Sequence, residues 1–139
     1  MSGKDHKVAA LLEGVETGPH DPHFAGYFRC FNEQKFYEAH DVLEALWLQD
    51  RNGQDGDFFK GLIQFAGAFV HLQKKRPRPA WKLFRLCTIY LAKYPSPHLA
   101  LDVANVLRLA KRWGEAAQIL GSEGDLLAEQ SPPTLRLQT

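Results

Sequence analysis

Between residues 36 and 47 the chain reads FYEAHDVLEALW. His40 and Glu44 stand four positions apart, so on a helix their side chains lie one turn apart and within reach of each other. An imidazole held by a carboxylate is a unit of general acid–base chemistry, and the same groups can ligate a metal. A second polar set runs through FFKGLIQFAGAFVHLQ, residues 58–73. There Lys60, Gln64, Gly67 and His71 fall at helical spacing on a single stripe of an otherwise apolar segment. A buried amide or imidazole without a partner costs about 1–3 kcal/mol, so Gln64 and His71 must find partners or water. If the two segments pack antiparallel, His40, Glu44, Gln64 and His71 converge, with Trp47 and Asp41 beside them.

Several chemistries fit such a cluster. As a structural pair, Glu44 orients His40 and fixes helix register. As a pocket, the cluster binds a small polar ligand. A metal would draw on His40, Glu44 and His71, with Asp41 in reserve. The chain lacks the His-Glu-x-x-His motif and the paired Glu-x-x-His of di-iron bundles, so neither a metal nor another cofactor is called for. No activated nucleophile is marked by its context at Cys30, Thr88 or Ser96, and GLIQFAG has the wrong form for a phosphate loop. Enzymatic activity is left open.

Charge gives a second signal. Residues 58–101 contain no Asp or Glu, whereas 33–57 are rich in them. Lys74, Lys75, Arg76 and Arg78 form a candidate anion patch, and Trp81 is available for stacking. The same cations also answer the negative end of the helix before them. A formal net charge of +1 argues against a dedicated nucleic-acid binder.

These residues need helices to position them. Phe36, His40, Leu43 and Trp47 form one seam, widened by Ala39, Val42 and Leu46. This places His40 in the buried arc, Glu44 at its border, and Glu38, Asp41 and Gln49 toward solvent. On that reading, His40→Ala costs about 1–3 kcal/mol. Asp21-Pro22 predicts a helix start, followed by Phe24, Phe28 and Phe31. Asn32 breaks that run and caps a helix over about 33–49. DRNGQDGD, 50–57, is a loop, and Asp57 caps a helix from Phe58 to about Lys75. RPRP, 76–79, reads as a rigid connector before a helix over 80–94. Ser96-Pro97 starts a fifth, carrying Leu99, Val103, Val106, Leu107 and Ala110, and Gly114 sets it off from a short EAAQIL turn. Gly61 and Gly67 each cost about 1 kcal/mol of helix propensity relative to Ala, which suits a close neighbour such as another helix or Trp47.

The expected organisation is a loosely structured segment over 1–20, with a short helix within Lys7–Glu16. A helical bundle over 21–120 and a mobile tail over 121–139 follow. Nothing alternates with period two, so the fold class is all-α: a single-domain antiparallel bundle of about five main helices joined by short connections. The 139 residues, 45% apolar and 24% charged, suffice for a core without staples. Cys30 and Cys87 read as buried thiols of a reducing compartment, with a disulfide between them the alternative. The first ten residues lack the apolar run of a signal peptide, and no stretch of 18 apolar residues spans a membrane. A cytoplasmic location is expected.

FNEQKFYEAHDVLEALW followed by GLIQFAGAFVHLQ resembles a small prokaryotic all-helical family, the domain-of-unknown-function family numbered three hundred and nine. The resemblance rests on Phe31, Asn32, Glu38, Ala39, His40, Leu43, Glu44 and Trp47, then Gly61, Leu62, Ile63, Gln64 and His71. It covers roughly residues 24–107, with LDV at 101–103 also similar. Asp41 departs from it, standing where the family usually has Glu. The resemblance implies a helical fold and brings no reaction or ligand. The functional expectation is therefore a small intracellular binding or scaffold module with a polar cluster between the second and third main helices. The alternative is a metal-dependent or acid–base, hydrolase-like enzyme using the same cluster. The expected partner is a small polar ligand or a protein, nucleic acid and membrane are disfavoured, and self-association stays open.

Overall fold

The computed structural model describes residues 3–139, with side chains from residue 5. Asp21 accepts a 2.7 Å hydrogen bond from the His23 backbone N–H, and Pro22 takes the first helical position. Seven helices run among the described residues: α1 (Gly3–Leu11), α2 (Pro22–Asn32), α3 (Phe36–Gln49), α4 (Gly56–Gln73), α5 (Pro77–Leu91), α6 (Val103–Leu120) and α7 (Leu126–Glu129). Among these residues there is no strand, only an isolated bridge between His98 and Leu101. The fold is all-α, with five long helices, α2 to α6.

Successive long helices are antiparallel neighbours. Phe36 stacks on Phe69 at 5.0 Å, while Lys60 lies over the Trp47 ring at 4.4 Å, so α3 and α4 run in opposite directions. A Cβ built on Gly61 would meet Leu91, and one on Gly67 would meet Leu83, which sets α5 antiparallel to α4. The close neighbour at both glycines is thus α5 and not Trp47. The core joins these layers through rings: Phe31 contacts Phe36, Phe65 and Phe69, and Phe69 reaches Phe84 and Trp113. Each buried ring contributes about 1.5–3 kcal/mol by burial, with about 0.5–1.5 kcal/mol more per well-placed pair. The Tyr27 hydroxyl donates to the Leu62 carbonyl at 2.7 Å, so this buried polar group is satisfied.

Several boundaries differ from those the sequence suggests. The short N-terminal helix lies at Gly3–Leu11 instead of within 7–16, and the chain turns beyond it through Gly14 at φ 73°. Asn32 does not cap α3. It ends α2, where Gln34 at φ 62° and the bonds Gln34 N–H to Phe31 O and Lys35 N–H to Cys30 O close a Schellman turn. α4 ends the same way, with Lys75 at φ 58° and Arg76 N–H donating to His71 O. α4 begins at Gly56, one residue before Asp57, the expected cap; Asp57 instead accepts from Lys93 Nζ at 2.7 Å. Pro77 and Pro79 are not a connector: Pro77 opens α5, where a proline lacks no needed bond. Leu99 is off the helix, in a turn at φ 47°, and α6 starts only after Asp102 accepts from the Asn105 N–H at 3.0 Å. Gly114 does not interrupt α6; its missing side chain lets Phe84 approach, a Cβ there being 3.2 Å from the Phe84 Cβ.

Residues 121–139, expected as a mobile tail, lie against the bundle. The Asn32 side chain donates to the Leu135 carbonyl and accepts from the Leu135 N–H, both at 2.7 Å. Leu135 is buried, and Gln138 N–H donates to the Ala100 carbonyl at 2.7 Å. An amide side chain that satisfies both polar groups of one residue holds that backbone whatever its sequence. Cys30 and Cys87 are free and buried. Among the described residues no helix is long and apolar enough to cross a membrane.

Candidate functional site

The stripe on α4 faces the space between α3 and α5. Lys60, Gln64, Gly67, His71 and Lys74 line a groove of about 340 Å³ there. α3 supplies Tyr37 and His40 on one wall, and α5 supplies Leu83 on the other. The antiparallel pairing of α3 and α4 brings His40 level with Gly67, where the absent side chain leaves the floor low. Ile63 and Val70 make the middle of the groove apolar.

His40 is at the rim and not in the core. About 28% of its side chain is exposed, with Nδ1 3.1 Å from Asp41 Oδ1 and Nε2 3.6 Å from Glu44 Oε2. Its ring stacks on Tyr37 at 6.0 Å. The centre of the α3 apolar face is Phe36, Ala39, Val42 and Leu43, all fully buried, so the buried arc is rotated away from His40. Asp41 is correspondingly buried at 8% exposure instead of facing solvent, because α1 packs on that side of α3. Both ring nitrogens are directed at carboxylates of the same helix, which holds the His40 ring in place. Glu44 stands behind the ring and does not line the groove. Trp47 does not line it either, but its face carries the Lys60 ammonium.

Gln64 and His71 are the unusual members. Gln64 is only 7% exposed, and its Oε1 has no partner among the described residues. His71 Nδ1 is likewise buried and unpartnered. Burial lowers the His71 pKa below its ordinary value, and the positive charges of Lys74 and Arg76 lower it further. At neutral pH the ring is therefore neutral and offers one lone pair and one N–H.

The structure thus gathers His40, Gln64, His71 and Lys74 along one groove, with Glu44 and Asp41 fixing the His40 ring from behind. Lys75, Arg76 and Arg78 are exposed at the α4–α5 turn, outside the groove lining. Among the described residues no group of three or more His, Cys, Asp or Glu side chains is placed to hold a metal ion. Of the candidate set His40, Glu44 and His71, the groove lining holds His40 and His71, while Glu44 meets His40 from outside it.

Two features escape the sequence reading. His98 Nε2 lies 2.7 Å from Asp55 Oδ1, with its ring against Phe58 and Tyr94, and ties the 95–102 turn to the start of α4. The only signal for it is an acidic loop facing an acid-free half of the chain, which names no partner. A cavity of about 840 Å³ lies between Phe28, Arg29 and Asn32 of α2 and the docked residues from Leu135 onward. It exists because the tail folds back.

No curated protein and no solved structure matches the chain significantly. Residues 24–83 match the family described as Domain of unknown function (DUF309), all-helical and without an assigned activity, a span that stops short of the 101–103 similarity but contains every residue lining the α3–α4–α5 groove.

Proposed function

We propose that this protein is a small binding module whose groove between α3, α4 and α5 takes a small polar ligand. The observation that carries the reading is Gln64, a buried amide whose Oε1 has no partner among the described residues and which lines an open groove beside His40 and His71. Leaving such a group unpaired costs about 1–3 kcal/mol, and a ligand that pairs with it recovers that cost on binding. Two free buried thiols suit a reducing compartment, and we place the module in the cytoplasm on that ground.

The test is a two-dimensional NMR amide spectrum of the full chain titrated with a library of small polar metabolites. At least one compound should shift the Gln64 side-chain amide together with the Gly67 and His71 backbone signals. A library that leaves these signals in place, or shifts only signals elsewhere, overturns the reading.

A further inference from the structure

The groove's lining narrows the kind of ligand. Among the described residues no Asp or Glu lines it, while Lys60 and Lys74 stand at its two ends. Asp41 and Glu44 lie behind His40 on α3, and the antiparallel pairing sets Glu44 level with the Lys60–Gln64 half. The opposite end has no acid nearby on α4 or α5, since residues 58–101 contain none, and it has Lys74 beside His71. Exposed Lys75, Arg76 and Arg78 follow at the turn, so cationic side chains are concentrated at this end. The unpartnered Gln64 oxygen sits seven residues before His71, which is about 10 Å along a helix. Between them the floor is Gly67, flanked by Ile63, Val70 and Leu83.

We propose, building on the binding reading above, that the groove takes an amphipathic organic anion. Its charged group sits at the Lys74–His71 end, an apolar body crosses Gly67, and an N–H donor about 10 Å from the charge meets Gln64 Oε1. Neutral His71 donates to the anionic head group through the ring nitrogen that carries its proton, and adds no charge of its own.

Calorimetric titration of the full chain with three matched probes tests this: 8-acetamidooctanoate, its methyl ester, and decanoate. The acid should bind, and the ester and decanoate should each bind about tenfold more weakly, the worth of one lost charged or buried hydrogen bond. Lys74→Ala should weaken the acid about tenfold and leave the ester unchanged. Lys111→Ala, exposed on α6 and away from the groove, should change neither. Gln64→Leu should abolish the preference for the acetamido acid over decanoate while the melting temperature holds or rises, which separates lost recognition from lost folding. Equal affinity for acid and ester, or a Lys74→Ala chain that binds the acid as before, overturns the anion assignment. An unchanged preference in Gln64→Leu overturns the donor assignment. If none of the three probes binds while library compounds still shift the groove signals, the ligand class is wrong and the binding reading stands; if neither does, both fall.

Discussion

His40 stands at the rim of the groove, its ring between the carboxylates of Asp41 and Glu44. Its partnership with Glu44 is legible from spacing alone, and the 3.6 Å approach to Glu44 Oε2 follows from it. Its burial is not legible, because the apolar arc of α3 is rotated by what packs on it. A partly exposed ion pair contributes about 0–1 kcal/mol. His40→Ala should therefore lower unfolding stability in denaturant by no more than about 1 kcal/mol, less than the buried reading of the seam implies. His71 behaves differently. Its pKa is lowered in the folded state, so the unfolded chain binds the proton more readily. The stability this contributes is fully present above the ordinary value of 6.5 and declines as pH falls below it, toward the lowered folded pKa. Melting temperatures measured across about pH 5–8 should fall on the acid side, and His71→Asn should flatten that part of the profile.

At the scale of elements, helix starts are easier to read than helix ends. Asp21-Pro22 announces α2 because a side-chain acceptor and a preset φ are written in the residue types. The ends of α2 and α4 turn through Gln34 and Lys75 in left-handed conformations that glycine or asparagine usually signals, so the letters give no warning. Gly61 is legible only as an oddity until α5 is in place. A Cβ there would come 2.8 Å from Leu91 Cγ, and Leu91 is fully buried. Gly61→Ala should thus destabilise by about 1–2 kcal/mol despite its better helix propensity, as a chemical-denaturation curve would show. Asn32 was expected to cap a helix and instead holds Leu135, a partner 103 residues away that no local pattern could name. Asn32→Ala should cost about 1–3 kcal/mol and speed hydrogen exchange at Leu135 and Gln138 more than in α4.

For the whole molecule, the all-α class and the antiparallel order were readable because periodicity and short connections leave few alternatives. The convergence of Gln64 and His71 with His40 was readable as a condition, namely that α3 and α4 pack through those faces. The rest depended on packing that sequence does not express: α1 on the Asp41 side of α3, α5 over the glycines of α4, and the tail under Asn32. The family match covers the groove but ends before α6, whose Trp113 completes the core against Phe69. Cys30 and Cys87, in α2 and α5, carry a last consequence. Burial raises both thiol pKa values, so each sulfur is shielded from reagents and kept out of its nucleophilic form. An alkylating dye can reach them only in moments when the helices part. The unmodified chain thus contains two internal clocks of its own breathing, and a compound seated in the groove should slow the one in α5, a difference that mass spectrometry of timed adducts can record.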